Sequence, residues 1–259
     1  MYGKGSDPIK MENEDLQLNR RTHWKLNRNQ LKYLLIIAML VDHIASAYVP
    51  TTRLLGQCMH VFGRLTGPGM ALLLAEGYQY TRNKKKYAIR LFVFSLISWV
   101  PYSLRTFNRF PYFGLDMFGV IWTLFLAFIT IWMWDKLKIH KAIKVVLVVL
   151  FCALSLFGDW SIFAVLWAHF AYINRDNEKK KWISFGIIAA VESILAMVFA
   201  GVSDGRFWLE AYQLGVVLVP IVVIFFYNRE PGSRHPFHKW FFYVFYPLHI
   251  LVLYLLRFL

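Results

Sequence analysis

The 259-residue chain has few acidic residues, 15 against 29 lysines and arginines, and only two cysteines. Cys58 and Cys152 lie in or beside apolar runs without metal-binding or redox spacing, so we interpret them as packing residues. No P-loop, glycine-rich dinucleotide motif, zinc-ligand spacing or serine-hydrolase elbow occurs in a suitable context. No fixed-period repeat is present. The chain is therefore not expected to bind a metal or to form a repeat array.

Charge of either sign is scarce, because charged residues make up 17% of the chain and hydrophobic residues 58%. The mean hydropathy of +0.45 is too high for an ordinary soluble domain. Several apolar runs approach the roughly 20 residues that cross a bilayer. The sequence therefore predicts an all-α fold, a polytopic integral membrane bundle of about nine transmembrane helices.

The predicted organisation is a polar cytoplasmic tail over residues 1–30 followed by one membrane domain over 31–259. The first span is not expected to be a cleaved signal peptide, because its apolar run is too long. The second is interrupted by glycines and Pro68, as in a broken membrane helix. The predicted spans cover approximately residues 31–49, 57–80, 87–104, 116–134, 142–157, a short stretch ending near 173, 182–202, 208–227 and 240–258.

The lysines and arginines lie mainly in alternate connections between these spans. The net charge is +14, which by itself could indicate a nucleic-acid partner. Alternate placement instead follows the positive-inside rule, so the N-terminus is predicted to be cytoplasmic, and membrane lipids rather than nucleic acid are the expected partners. Most of these cations fall in residues 1–32, 81–90, 135–144, 174–181 and 228–239.

Asp42 and His43 stand side by side within the first predicted span. A charge near the middle of a membrane helix costs several kcal/mol, so ionisable residues at such positions usually mark functional sites. The alternative is a structural polar contact between helices. Neighbouring helical residues point about 100° apart, so the two side chains require separate partners.

A rise of about 1.5 Å per residue places His43 roughly 18 Å, and Arg64 roughly 20 Å, from the cytoplasmic face. We hypothesise that Asp42 pairs with Arg64, while His43 faces a cavity as a base or nucleophile.

Three further ionisable residues, His169, Glu192 and His249, fall at roughly 13 to 16 Å by the same reckoning. Their similar depth predicts one shared cavity. For His169 and His249 taken singly, a hydrogen-bonded core histidine is the stronger alternative.

A basic cluster follows the second span, and its members are the candidate cofactor-binding residues. It would either anchor the chain to lipid headgroups or form a cytoplasmic mouth that holds phosphates of a soluble cofactor. Arg90 favours the second interpretation, because it lies inside the third predicted span. The candidates are Glu76, Arg82, Lys84, Lys85 and Arg90.

Several of these residues belong to a recognisable pattern. Asp42 to Ile44, Gly63 to Leu65 with Pro68, and the stretch AEGYQYTRNKKKYAIRLFVFSLISWVPY resemble the TraX family. That family is named for the conjugative pilin N-acetylase and is similar to transmembrane acyltransferases, including heparan-α-glucosaminide N-acetyltransferase. The sequence departs from the family pattern at Gly67 and Gly69, where bulkier residues are expected.

The resemblance implies transfer of an acetyl group from cytoplasmic acetyl-CoA to an amine on a protein, peptide or sugar. It implies that Asp42 and His43 form the catalytic pair, that Arg64 is their polar partner, and that Glu76, Arg82 and Arg90 lie on the cofactor side. The expected location is a bacterial inner membrane. Because His43 is predicted in the outer half, transfer across the membrane follows as a hypothesis.

Two other functions fit the same residues. A proton-coupled transporter or flippase could relay protons through Asp42, His43 and Glu192. A non-catalytic membrane factor could bind partners through its tail and basic loops.

Overall fold

The computed structural model of the chain describes residues 25–112 and 117–258. Within these ranges the chain forms ten α-helices and two 3-10 segments and has no β-strand, so the predicted all-α fold is confirmed. Residues 1–24 of the predicted tail lie outside the described residues. The elements are α1 (Arg28–Tyr48), α2 (Leu54–Gly63), α3 (Thr66–Tyr80), α4 (Lys84–Phe107), α5 (Val120–Lys136), α6 (Lys141–Ser155), α7 (Ser161–Ile173), α8 (Glu178–Asp204), a 3-10 segment (Phe207–Val217), α9 (Leu218–Phe226), α10 (Pro236–Leu255) and a second 3-10 segment (Leu256–Phe258).

Five helical stretches in the described part are long and apolar enough to cross a membrane. They are α1, α4, most of α8, the run Phe207–Phe226, and α10 with the 3-10 segment after it. The remaining predicted spans are present as the shorter helices α5, α6 and α7 and as the pair α2 and α3. Large apolar side chains face outward on α8, where Ile187, Ile194 and Phe199 are 60%, 58% and 68% exposed. Such a surface suits hydrocarbon, so the fold is a helical membrane bundle.

The predicted break in the second span is confirmed, because α2 ends at Gly63 and α3 begins at Thr66. Pro68 lies in the first turn of α3, where its missing N–H has no intrahelical partner to lose. The bulkier residues expected on either side of Pro68 would not fit. The Trp160 ring occupies the space that a side chain at Gly67 would need, and the Leu35 side chain occupies the corresponding space at Gly69. The glycines therefore let α1 and the α6–α7 turn pack directly on α3.

The eighth predicted span differs from a regular α-helix. Its first half, Phe207–Val217, is wound as a 3-10 segment, and only Leu218–Phe226 is α-helical. Gly215 sits against the backbone of Val61, where a Cβ would overlap the Val61 carbonyl oxygen. This contact between the 3-10 segment and α2 depends on tertiary packing, which hydrophobic periodicity does not report.

The basic connections gather at one end of the bundle, hereafter the basic end. Arg28 pairs there with Glu76 at 2.6 Å, and Arg229 with Glu178 at 2.7 Å. Asp135, just beyond the fourth predicted span, accepts hydrogen bonds from the hydroxyls of two tyrosines, Tyr78 and Tyr172. Burial works against ionisation, but these hydrogen bonds lower the pKa of Asp135 to about 2. The polar contacts therefore tie the ends of several helices together.

Candidate functional site

Asp42 lies near the end of α1 and faces the break between α2 and α3. Its carboxylate accepts hydrogen bonds from His60 Nδ1 at 2.8 Å and from Arg64 Nη2 at 3.3 Å. Gly63 permits this approach, because a Cβ there would overlap the Asp42 side chain. The predicted contact between Asp42 and Arg64 is therefore present. Sequence reasoning missed His60, although it lies one helical turn before Arg64, and that spacing was the available signal.

Arg64 is the centre of a larger polar cluster. Its guanidinium stacks over the Trp160 ring at 4.4 Å and lies 5.2 Å from the Tyr212 ring. Nη1 donates to Gln213 Oε1 at 3.1 Å, and Gln213 in turn donates to Glu210 at 3.0 Å. Hydrogen bonds and two aromatic faces therefore compensate for removing this cation from water. The 3-10 winding after α8 brings Gln213 to this place.

His43 contacts a second histidine rather than a carboxylate. Its Nδ1 lies 2.7 Å from His249 Nε2 on α10, and the two rings are parallel within 7°. His249 Nδ1 lies 2.8 Å from the carbonyl oxygen of Phe245. Both imidazoles are buried, with 8% and 6% of each residue exposed. Three groups are thus aligned from the backbone of α10 to the imidazole of His43.

This alignment determines which ring nitrogens carry protons when both rings are neutral. A carbonyl oxygen only accepts, so His249 Nδ1 must be the donor to Phe245. The Nε2 of His249 is then unprotonated and accepts a hydrogen bond from His43 Nδ1. It follows that His43 Nε2 holds a free lone pair. This nitrogen is the one suited to act as a base or nucleophile.

Asp42 and His43 border a small cavity of about 50 Å³, enough for one or two waters or a small reacting group. Tyr246 also lines this cavity, and its hydroxyl oxygen accepts a hydrogen bond from the Val120 N–H at 3.0 Å. The hydroxyl proton of Tyr246 can therefore be donated to a bound molecule. Asp159, in the turn between α6 and α7, completes the polar lining.

Burial raises the pKa of the Asp159 carboxyl, although the nearby Arg64 guanidinium opposes this shift. The next residue, Trp160, has a φ of 59° in the left-handed region, which is unusual for a bulky side chain. This conformation places the indole both under the Arg64 guanidinium and over Gly67. Strain at the turn therefore accompanies the closing of the small cavity.

A larger cavity of about 520 Å³ runs from the basic end toward the same place. Its wall is mainly apolar, with Met70, Leu73 and Leu124 among its members. Its deep end reaches the small cavity, because four residues line both. These shared residues are Met39, Thr66, Val120 and Tyr246. The cations at its mouth, hereafter the basic rim, are Arg28, Lys32, Arg90, Arg234 and Lys239.

Of the predicted cofactor-binding residues, Arg90 alone lines this large cavity. Glu76 instead pairs with Arg28 and accepts a hydrogen bond from the Tyr227 hydroxyl. Arg82 and Lys85 are exposed at the surface, and Lys84 donates to the carbonyl of Thr81. The other rim cations were missed, because they come from the N-terminal parts of α1 and α10 and from the loop before α10, which are far apart in sequence.

Of the three residues predicted at mid-depth, only His249 joins the His43 site. Glu192 is buried within electrostatic range of Arg64 and Glu210, but it does not line the small cavity. His169 packs edge-on against Trp134 at 4.7 Å, in the last turn of α5. The prediction of one shared cavity is therefore wrong for His169 and for Glu192, because residue counting assigns a depth but not the direction in which a side chain faces.

Comparisons with known proteins identify a family and a relative. A family model described as TraX protein matches residues 27–257. A protein of Dichelobacter nodosus described as "Probable fimbrial assembly protein FimC, serogroup H1" is 29% identical over 231 residues, which cover 86% of this chain and 93% of that protein. No solved structure gives a significant match.

Proposed function

Because this chain belongs to the TraX family, we propose that it is a multi-pass membrane acyltransferase that moves an acetyl group from cytoplasmic acetyl-CoA to an amine. The observation that carries this proposal is the large cavity, which joins the basic rim to the His43 site. Acetyl-CoA is anionic at its nucleotide end and neutral along the arm that carries the thioester. A cavity with cations at its mouth and an apolar wall matches that order of charges.

Arg90 adds specific support for an anionic donor at the mouth. Its Nε is buried and has no hydrogen-bond partner in the described part of the chain, and the same is true of Arg28 Nε. A buried donor without an acceptor is costly, so a phosphate oxygen bound at the rim would satisfy these groups. Lys32, over the ring of Phe242 at 5.1 Å, contributes a further cation to the rim.

The transfer uses the lone pair of His43 Nε2. In the direct route the acceptor nitrogen bonds to the acetyl carbonyl carbon, and the carbon–sulfur bond breaks. His43 Nε2 takes the proton from the amine and returns it to the departing thiolate, giving the amide and CoA thiol. The Tyr246 hydroxyl, at the junction of the cavities, donates to the carbonyl oxygen as it gains charge.

A second route uses the same nitrogen as a nucleophile. His43 Nε2 bonds to the acetyl carbonyl carbon as the carbon–sulfur bond breaks, and the ring loses one proton, which leaves with CoA as its thiol. The amine nitrogen then bonds to the same carbon, the bond from carbon to Nε2 breaks, and the proton lost by the amine returns to the ring, which His249 holds in place. Release of one equivalent of CoA per protein without an amine present would identify this route. The direct route releases CoA only when the acceptor is added.

The first test measures donor binding at the basic rim. Acetyl-CoA is expected to raise the unfolding temperature of the purified protein, and Arg90→Gln is expected to weaken its binding roughly tenfold, the effect of losing one charge-assisted hydrogen bond. Titration calorimetry gives the dissociation constants. Arg82→Gln is the matched control, because Arg82 is an exposed cation at the same end outside the cavity. Absence of binding to the unmodified chain would eliminate the donor and leave the transporter and the non-catalytic factor.

The second test concerns His249, which we assign as a positioning residue. His249→Phe removes the acceptor for His43 Nδ1, so kcat is expected to fall about 10- to 100-fold, part of what a positioned base contributes. His249→Gln can still accept from His43 and donate to Phe245, so it should restore most of that loss. The KM for acetyl-CoA should change in neither variant. Equal kcat values for the two variants would refute the positioning role.

The relative from Dichelobacter nodosus is named for fimbrial assembly, so we propose a protein or peptide amine, such as a pilin N-terminus, as one acceptor class. The membrane would be the bacterial cytoplasmic membrane. Mass spectrometry of amine products formed by the reconstituted chain tests this acceptor.

A further inference from the structure

A third cavity opens at the end of the bundle opposite the basic end. Its volume is about 350 Å³, and it lies among the C-terminal ends of α1, α4 and α10. Ser46 in its lining stands three residues after His43 on α1, so the cavity begins about one helical turn beyond the His43 imidazole. Its polar lining residues are Ser46, Tyr48, Arg105, Thr106, Tyr254 and Arg257.

Arg105 lines this cavity and also contacts the backbone of His43. Its Nη2 donates a hydrogen bond to the backbone carbonyl oxygen of His43 at 3.2 Å. A guanidinium carries five N–H donors in a planar fork, and this contact uses one of them. Arg105 therefore stands at the boundary between the third cavity and the His43 site, with further donors to offer a ligand.

Among the described residues, the charged side chains that line the third cavity are all positive. Arg105 and Arg257 are the charged residues among the described residues that line it, and no carboxylate is among them. Two guanidiniums in a partly enclosed space attract an anion more strongly than they would in water.

The choice of cation at this end is also consistent with anion binding. The connections at this end, residues 50–56, 105–119, 156–160, 204–208 and 256–259, carry five arginines and no lysine. The basic end, in contrast, is rich in lysine, as in the stretch NKKK after α3. Arginine binds carboxylate and phosphate through two parallel hydrogen bonds, whereas lysine acts as a compact point charge.

We propose that the third cavity is the acceptor site and that it selects an amine carrying a carboxylate or phosphate close to its amino group. The inference rests on the proposed function. Arg257 and Arg105 hold the acidic group, and the amino group of the same molecule points toward His43 Nε2. The donor then enters from the basic end and the acceptor from the opposite end, and the two meet at the small cavity. The transfer and its proton balance are those given above.

The test compares amines that differ only in the anionic group. The full chain is placed in phosphatidylcholine nanodiscs, which supply no acceptor amine, and CoA release is measured with acetyl-CoA and either phosphoethanolamine or ethanolamine. The KM is expected to be at least tenfold lower for phosphoethanolamine, with β-alanine behaving similarly. Arg257→Gln should bring the KM for phosphoethanolamine close to that for ethanolamine, because it removes one of the two guanidiniums that hold the acidic group.

Arg53→Gln is the matched control, since Arg53 is an exposed cation at the same end outside the third cavity. It should keep the preference. Repeating the measurement with phosphatidylethanolamine in the nanodisc distinguishes a lipid headgroup from a free small amine as the acceptor, because an acetylated lipid would identify the headgroup. Equal KM values for the paired amines, with CoA release intact, would overturn the acceptor assignment alone. Failure of acetyl-CoA to bind or to release CoA with any amine would overturn the proposed function together with it.

Discussion

Replacing His43 with alanine is expected to lower the rate of acetyl transfer by about 10²- to 10⁴-fold, the range that a positioned base contributes. The variant loses the Nε2 lone pair, which the contacts from Phe245 through His249 leave free. Acetyl-CoA should still stabilise the variant, because the basic rim lies at the far end of the large cavity. Formation of the acetylated amine, measured by mass spectrometry, gives the rate.

His169→Ala is the matched control for this experiment. His169 is also a buried histidine, with 4% of the residue exposed, but it packs against Trp134 and does not line the small cavity. The rate per folded molecule should therefore stay close to that of the unmodified chain. Transfer at an unchanged rate in His43→Ala would leave the site without its base, and a transporter or a non-catalytic factor would then account better for the chain.

Replacing Asp42 with alanine is expected to destabilise the fold by about 3–5 kcal/mol, the usual cost of removing one partner of a buried ion pair. Arg64 and His60 would lose the carboxylate that accepts from both. A second replacement, Arg64→Ala, made in the Asp42→Ala background, should cost less than it does alone, because the buried charge is already unpaired. Denaturation in detergent micelles gives the free energies of unfolding for the four proteins.

Asp176→Ala provides the comparison with an exposed ion pair. Asp176 lies 3.6 Å from Arg175, and its side chain is 86% exposed. Such surface pairs contribute about 0–1 kcal/mol, so a small change is expected. Similar losses in the free energy of unfolding for Asp42→Ala and Asp176→Ala would mean that water reaches Asp42 freely and that Asp42 does not form a buried ion pair.

The spans follow from the sequence because hydrophobic length and basic connections are local properties. Each predicted span has a helical counterpart in the described part of the chain, and the break near Pro68 lies where the glycines place it. Boundaries moved by a few residues, since α1 begins at Arg28 and α4 continues through Pro101 to Phe107. Periodicity also did not predict the 3-10 winding of Phe207–Val217, which accompanies packing against α2.

The site could be predicted only in part. Depths estimated from residue counts along two consecutive spans correctly predicted that Asp42 lies near Arg64, because the connection between α1 and α2 is short. The same counting did not find His249 as the partner of His43, since 206 positions separate them in the chain. It also assigned the cofactor side to one basic loop, whereas the basic rim combines Arg90 with cations from α1, α10 and the loop before α10.

What the sequence by itself determined is that the chain crosses a membrane, that its basic loops alternate with its spans, and that Asp42 and His43 lie at a costly depth. These conclusions depend on composition and on residues close together in the chain. Only the tertiary structure decided that His249 holds His43, that His60 and Arg64 share Asp42, and that one cavity leads to this site from the basic end. Those features arise where distant helices pack together, and the fit between their side chains cannot be read from the pattern of any single helix.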